Sequence, residues 1–89
     1  MSIVSITLQN NDDARPIIAA ILADNPKAEL SNFPAMVKIN AEGELIVNRE
    51  TVEDKLGRPW DVQEIHLSLI SLSGNIDEDD DRLRLFWRA

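Results

Sequence analysis

The segment IVSITLQNNDDARPIIAAILAD, residues 3–24, decides the fold because it joins a strand directly to a helix. Near its start the apolar side chains of Val4, Ile6 and Leu8 alternate with polar ones. This is the period of a strand with one buried face, and the polar residues that follow it predict its end.

The same segment predicts a helix over residues 14–24. Its apolar residues recur at helical spacing and form one stripe, which consists of Ile17, Ile18, Ile21 and Leu22. Asp13 is the predicted N-cap, and Pro16 falls in the first turn, where its missing N–H is not needed. The run Asp24-Asn25-Pro26 then stops the helix.

Two or three strands are predicted after this helix. Residues 28–33 form a weak one, and stronger ones run through Ile39 and Leu45. The side-chain pattern favours a hairpin between the stronger two. In that hairpin residues 41–43 form a three-residue turn, Ile39 pairs with Leu45, and Gly43 is left-handed.

Two short helices are predicted next. Thr51 and Asp54 have the spacing of a capping box, and Gly57 is placed to end the helix that they begin. Asp61 and Glu64 repeat the capping signal, so a brief helical turn leads into the next strand.

A last strand is predicted near the carboxyl end, where apolar and basic side chains alternate: Leu83, Leu85 and Trp87 against Arg82, Arg84 and Arg88. The predicted order of elements is βαβββααββ. This order is typical of an α+β fold in which short helices pack on antiparallel sheet. A chain of 89 residues suffices for one domain, which we expect to span residues 1–89.

Composition excludes several classes of function. The formal net charge of −7 argues against a nucleic-acid partner, since phosphate binding depends on clustered Lys and Arg. With one histidine and no cysteine the chain lacks the usual ligands of zinc, and its serines lie in no nucleophile motif. Residues 1–20 predict neither a signal peptide nor a membrane span. We therefore expect a cytoplasmic binding protein without cofactor or metal.

The run QEIHLSLISLSGNIDEDDD, residues 63–81, is the least regular part of the chain. Its alternation breaks at Leu69 and Ile70, which are adjacent. Such a break indicates burial on both faces, a β-bulge, or an apolar patch turned outward beside small hydroxyl groups. His66, placed on the same predicted strand, is interpreted as a surface or edge residue.

The acidic end of this run resembles the start of an EF-hand loop, because Asn and Asp side chains alternate from Asn75 onward. Asp80 stands at the position of the required glycine, and Phe86 at that of the bidentate glutamate. We therefore interpret residues 77–81 as an acidic hairpin loop. Repulsion between its carboxylates should keep it mobile unless basic groups meet it, either Arg82 or Arg84 of this chain or those of a partner.

Three segments together resemble a known protein family: ARPIIAAILADN at 14–25, TVEDKLGR at 51–58 and, most specifically, the run at 63–81. Over nearly the whole chain they look like the small effector, or regulatory, protein of bacterial multicomponent phenol hydroxylases. The effectors of toluene monooxygenase and soluble methane monooxygenase are more distantly similar.

The resemblance implies a cofactor-free protein of βαββ-type units that docks on a separate di-iron hydroxylase near its active site. Effectors of this family shift helices of the hydroxylase. They thereby gate the access of substrate and oxygen, and couple electrons from an NADH-dependent reductase to hydroxylation. The iron belongs to the hydroxylase, so the resemblance implies a non-catalytic component.

The resemblance also implies a docking segment over residues 68–75. The predicted partner-binding residues all lie within it: Ser68, Ile70, Ser71, Leu72, Ser73, Gly74 and Asn75. The serines keep the small polar character of the corresponding positions in the methane-oxidising relative, whereas Ile70 and Leu72 depart from it. Either burial or contact with the partner would explain these two apolar side chains.

Two other classes of function stay open on the residues alone. An α+β module of this size also suits a small-molecule-sensing regulatory domain, which would bind a metabolite by itself. A small enzyme that uses carboxylates would require two of them buried together with raised pKa values.

Overall fold

The amino-terminal strand and helix form where they were predicted, and both turn apolar side chains into the core. The strand was predicted to have one buried face, but Ser5 and Thr7 on its other face are buried as well. In the computed structural model, which describes residues 3–87, Val4, Ile6 and Leu8 are fully buried. The elements in chain order are β1 (Ile3–Gln9), α1 (Arg15–Asp24), β2 (Glu29–Phe33), β3 (Met36–Glu42), β4 (Glu44–Asn48), α2 (Arg49–Leu56), a 3₁₀ helix (Val62–Leu67), β5 (Leu69–Ser73), β6 (Asn75–Glu78) and β7 (Arg82–Phe86).

The start of α1 differs in detail from the prediction. Ala14, and not Asp13, is the N-cap residue, and the helix begins at Arg15. The backbone N–H of Ala14 donates to Oδ1 of Asn11 at 2.9 Å. A side chain three positions before the N-cap thus supplies the acceptor that was expected from Asp13.

The seven strands within residues 3–87 form two antiparallel sheets. Sheet A has the order β2-β3-β1-β5, and sheet B has the order β4-β7-β6. The chain contains two βαββ units, β1-α1-β2-β3 and β4-α2-β5-β6, followed by β7. The predicted fold class, α+β with short helices on antiparallel sheet, is confirmed.

One hydrophobic core joins both sheets and all the helices. Ile6 of sheet A, Leu85 of sheet B, Ile21 of α1, Val52 of α2 and Ile65 of the 3₁₀ helix are fully buried members of it. Burial of a large aliphatic side chain contributes about 1.5–3 kcal/mol to folding. The core therefore fixes the positions of the edge strands that are described below.

The predicted hairpin between β3 and β4 is wrong. Ile39 lies opposite Ile6 in sheet A, whereas Leu45 lies opposite Leu85 in sheet B. Gly43 between the two strands has a φ of 82°, as the turn signal predicted, but it passes the chain from one sheet to the other. We call Gly43 the first corner. The left-handed conformation of Gly43 depends on neighbouring residues, whereas the pairing of β3 and β4 depends on strands that are distant in sequence.

A second corner joins β5 of sheet A to β6 of sheet B at Gly74, whose φ is 133°. A Cβ atom on Gly74 would lie 3.1 Å from Cγ1 of Val4, so only glycine fits without displacing its neighbour. The strand after this corner was not predicted. Ile76 pairs with Leu85, and this adds β6 to the edge of sheet B.

Helix α2 begins at Arg49, before the predicted capping box of Thr51 and Asp54. Asn48, in an extended conformation, is the N-cap residue. Gly57 ends the helix with a left-handed φ of 74°, as predicted. Within residues 3–87 no helix is long and apolar enough to span a membrane.

The capping box of Asp61 and Glu64 is confirmed, but the helix that it begins is longer than predicted. Oδ1 of Asp61 accepts the N–H of Gln63 at 3.0 Å, and Oε2 of Glu64 accepts the N–H of Asp61 at 2.9 Å. The resulting 3₁₀ helix continues through His66, which was expected on a strand.

The last strand is shorter than predicted because β7 ends at Phe86. Leu83 and Leu85 are fully buried, as expected, whereas Trp87 is 46% exposed. The indole N–H of Trp87 donates to the carbonyl oxygen of Ile3 at 2.7 Å. Arg88, predicted in the same strand, lies outside the described residues.

Candidate docking surface

Strand β5 forms one edge of sheet A and carries most of the predicted partner-binding residues. It pairs with β1 on one side, and within residues 3–87 its other side carries no strand. The backbone N–H of Gln9 donates to the carbonyl oxygen of Ser68 at 2.9 Å, which extends the pairing by one hydrogen bond. An edge of this kind presents backbone groups that a second protein can contact.

The break in the sequence pattern at Ile70 is a β-bulge. Leu69 lies opposite Leu8 and Ser71 lies opposite Thr7, so Ile70 is the additional residue on β5. Its side chain is 49% exposed. Of the three structures that the pattern allowed, a bulge that turns an apolar side chain outward is the one that forms.

Leu72 behaves differently from Ile70. It lies opposite Ile6 and packs, partly buried, against the hydrophobic core. The two departures from the small polar pattern thus have different surroundings. Ile70 is available to a partner, while Leu72 attaches β5 to the core.

Small hydroxyl side chains form two rows across the outer face of sheet A. Ser71 is paired with Thr7, and Ser73 is paired with Ser5. The serines of β5 are exposed, while Ser5 and Thr7 on the neighbouring strand are buried. Because these side chains are short, a partner could approach the backbone of β5 closely beside Ile70.

The other three predicted residues lie at the ends of β5. Ser68 is buried and caps the 3₁₀ helix, where its N–H donates to the carbonyl oxygen of Ile65 at 3.0 Å. Gly74 forms the second corner, and Asn75 pairs with Phe86 in sheet B. All seven residues therefore belong to one continuous segment, but Ile70, Ser71 and Ser73 are its exposed members.

Two exposed apolar residues beside this segment were not predicted to contribute. Leu67, at the end of the 3₁₀ helix, is 79% exposed, and Ile76 is 45% exposed. With Ile70 they make three large aliphatic side chains within residues 67–76 that are at least 45% exposed. Grouped exposure of this kind is typical of interaction surfaces. The consecutive apolar residues Leu69 and Ile70 were the sequence signal that pointed to the region.

A polar contact links the two ends of the region. Nε2 of His66, in the 3₁₀ helix, lies 2.8 Å from Oε1 of Glu78 at the end of β6. A carboxylate has only acceptor atoms, so the histidine nitrogen is the donor. The prediction that His66 lies at the surface is confirmed, but no pattern in the sequence indicates its partner twelve residues away.

The acidic run divides into a strand and a tight turn. Residues 75–78 form β6, and residues 79–81 connect it to β7. Oδ1 of Asp79 accepts the N–H groups of Asp81 at 2.8 Å and Arg82 at 2.9 Å. These hydrogen bonds, with the positive charge of Arg82, hold the pKa of Asp79 below its ordinary value of 3.8, although slight desolvation opposes them. The predicted hairpin is therefore present, with a shorter loop.

The structure offers little support for the chemistry of a small-molecule or metal site. A surface cleft of about 560 Å³ is lined by Arg49, Glu53, Pro59, Trp60, Asp61, Glu64 and Asp80. Pockets for small ligands are mostly apolar, whereas five of these seven side chains carry charge. Among residues 3–87 no cluster of three or more histidine or carboxylate side chains is arranged to hold a metal ion.

Comparison with known proteins gives consistent results. The sequence profile of the MmoB/DmpM family matches residues 2–86. The stimulatory component DmpM of phenol 2-monooxygenase from Pseudomonas sp. (strain CF600) is 52% identical, over 98% of this chain and 97% of that protein. A chain in a solved phenol hydroxylase–regulatory protein complex is also 52% identical and superposes with a TM-score of 0.94, over 98% of this chain and 100% of that chain.

A more distant structure is similar in fold alone. Regulatory protein B of soluble methane monooxygenase is 20% identical, with a TM-score of 0.76 over 97% of this chain and 65% of that chain. The two-sheet arrangement is therefore retained where most side chains differ.

Proposed function

The chain belongs to the MmoB/DmpM family, and from this premise we propose that it is the regulatory component of a multicomponent phenol hydroxylase. It docks on the di-iron hydroxylase component and stimulates hydroxylation of phenol-type aromatic substrates. It has no cofactor and no catalytic residues of its own. The identity of 52% to a stimulatory component supports this proposal over nearly the full length of both chains.

The docking segment proposed for this function is residues 68–75, within a single effector domain that spans residues 1–89. The observation that carries the proposal is the bulge in β5, which exposes Ile70 beside Ser71 on an open sheet edge. An aliphatic side chain that leaves solvent on binding contributes affinity, and short neighbouring side chains permit close contact. Leu72, which packs on the core, holds this edge in place.

The regulatory effect follows from linkage. An effector changes the conformation of its partner only if it binds one conformation more tightly, and typical differences are about 1–3 kcal/mol. In this proposal the segment binds more tightly to the hydroxylase when the helices near its active site have shifted. That state admits substrate and oxygen, and it couples electrons from the NADH-dependent reductase to hydroxylation.

Reconstitution tests the function. The hydroxylase and reductase of a multicomponent phenol hydroxylase are assayed for phenol turnover and NADH consumption, with increasing amounts of this protein. Turnover should rise to a plateau, and the ratio of product to NADH consumed should increase. Turnover that is the same with and without the protein would contradict the proposal.

Substitutions at the bulge test the docking segment. Ile70→Asp and Ser71→Trp should each raise the concentration needed for half-maximal stimulation by about tenfold, which corresponds to about 1.4 kcal/mol. Both positions are exposed, so thermal stability should change little. Phe33→Asp, at a similarly exposed apolar position on the opposite edge strand β2, is the matched control. Unfolding by either bulge substitution, or equal loss with the control, would remove the segment from the proposal.

A further inference from the structure

Glu78 breaks the pattern of its own strand. In β6 the side chains of Ile76 and Glu78 share the face that Leu83 and Leu85 of β7 turn towards the core. A carboxylate at such a position needs a hydrogen-bond donor, because water reaches it only in part. His66 supplies that donor at 2.8 Å.

The two residues enclose the docking segment. His66 precedes β5, and Glu78 ends β6, so their contact closes a ring that contains the bulge at Ile70 and the second corner at Gly74. Strand β5 belongs to sheet A and β6 to sheet B. The contact therefore joins the 3₁₀ helix that leads into the edge strand of sheet A to the edge strand of sheet B, across the bend at Gly74.

On the side of His66 the contact is held by the core. Its neighbour Ile65 is fully buried, which fixes the 3₁₀ helix against the rest of the protein. On the other side, β6 is held by its pairing with β7. A hydrogen bond between two elements that are each anchored separately limits how far the bend between them can open.

We propose that His66 and Glu78 are a positioning pair that holds β5 and β6 at the angle required for docking on the hydroxylase. This inference rests on the proposed function, and it adds two residues that lie outside the docking segment of residues 68–75. The side chains of His66 and Glu78 are 48% and 24% exposed, and a single hydrogen bond near the surface contributes modestly to overall stability. Their effect is accordingly local, on the shape of the docking segment.

A double-mutant cycle tests the pair. His66→Ala and Glu78→Ala should each raise the concentration of effector for half-maximal stimulation by about fivefold, and the double variant should be no worse than either, because the interaction is lost only once. Maximal turnover should stay at the wild-type level. The melting temperature should fall by less than about 5 °C.

Rescue separates a positioning role from general weakening. The side-chain amide of His66→Gln can place an N–H where Nε2 of histidine lies, so this variant should restore most of the wild-type response. Asp12→Ala removes an exposed ion pair with Arg15, whose atoms lie 3.2 Å apart, and serves as the control that leaves stimulation unchanged. Amide hydrogen exchange should accelerate in β5 and β6 of His66→Ala, and not in α1.

The outcomes distinguish this inference from the proposed function. A wild-type protein that fails to stimulate contradicts the function itself. A wild-type protein that stimulates, together with a double variant whose loss equals the product of the two single losses, contradicts the pair alone. A glutamine variant as weak as the alanine variant, with exchange in β5 unchanged, contradicts it as well.

Discussion

The chain passes from sheet A to sheet B twice, and the two corners are built differently. At the first corner, Gly43, the position of an added Cβ has no atom within 4 Å. At the second corner, Gly74, the same position lies 3.1 Å from Val4 and 3.4 Å from the carbonyl oxygen of Phe86. One glycine provides only a backbone conformation, while the other also permits close packing.

The strands next to the two corners differ in whether their outer edges are covered. Strand β4, after Gly43, has its outer edge closed by the side chain of Asn25. Strands β5 and β6, on either side of Gly74, lie at open edges of the two sheets. An open sheet edge has unpaired backbone groups that promote aggregation, so a protein without a binding partner usually covers it. The second corner therefore holds in place a region that the fold leaves uncovered, which agrees with a docking role for residues 68–75.

The largest expected effect comes from the second corner. Gly74→Ala introduces a side chain at a φ of 133° and against Val4, so both backbone strain and overpacking oppose folding. We expect a loss of about 3 kcal/mol in the free energy of unfolding, measured by urea denaturation. Gly43→Ala is the matched control: its φ of 82° is strained but its surroundings are open, so about 1 kcal/mol is expected. Equal losses at the two glycines would show that packing does not distinguish the corners.

A smaller effect is expected at the edge beside the first corner. Asn25 donates to the carbonyl oxygens of Ile21 and Ile46, both at 2.7 Å, and accepts the N–H of Ile46 at 3.0 Å. Asn25→Ala leaves the N–H and the carbonyl oxygen of Ile46 without this partner, while the carbonyl oxygen of Ile21 keeps the backbone N–H of residue 25 at 3.0 Å. The substitution should lower the free energy of unfolding by about 2 kcal/mol.

The control for this second prediction is Asn32→Ala, which alters an exposed asparagine on β2 and should change stability by less than about 0.5 kcal/mol. If Asn25→Ala matched this control, the edge of β4 would be held by other contacts. The closed edge of β4 would then no longer be explained by Asn25, and the contrast with the open edges of β5 and β6 would not hold.

The sequence predicted the features that depend on neighbouring residues. The alternation of β1, the apolar stripe of α1, the left-handed Gly43 and Gly57, and the capping box of Asp61 each follow from steric or hydrogen-bonding preferences within a few positions. The pairing of Ile39 with Leu45 was wrong because turn chemistry does not say which distant strand will pair. Strand β6 was missed because its acidic composition hid a pairing that β7 imposes.

The candidate docking segment was indicated by the family resemblance and by an irregularity in the pattern, and the structure resolved its form. Two adjacent apolar residues, Leu69 and Ile70, allowed three structures, and the register against Thr7 and Leu8 decides between them. The contact between His66 and Glu78 could not be predicted, because it depends on a bend at Gly74 that brings the two residues together. The break in alternation at Leu69 and Ile70 thus indicated the docking segment, while its conformation is determined by the pairing of β5 with β1.

The smallest expected effect concerns pH at the turn after β6. The N–H groups of Asp81 and Arg82 donate to Asp79 and lower its pKa from the ordinary value of 3.8. Because the pKa of Asp79 is lower in the folded than in the unfolded protein, its contribution to stability is complete above the unfolded-state pKa. That contribution is lost as pH falls through the folded-state pKa. The part of the NMR shift of these two amides that Asp79 causes should therefore have its midpoint below pH 3.8.

Asp79→Asn sharpens this last test, since an amide oxygen accepts the same two hydrogen bonds but does not titrate. The pH-dependent shift of the Asp81 and Arg82 signals should then be smaller than in the wild type, because Asp79 no longer contributes to it, while the signal of Ile46, whose partner Asn25 is neutral, should be the same in both proteins. A midpoint at or above the ordinary carboxyl pKa of 3.8, for the part of the shift that Asp79→Asn removes, would contradict the prediction. Acid should thus loosen the turn at residues 79–81 before the edge of β4. The turn is ordered by the charged carboxylate of Asp79, whereas the edge of β4 is held by the neutral amide of Asn25.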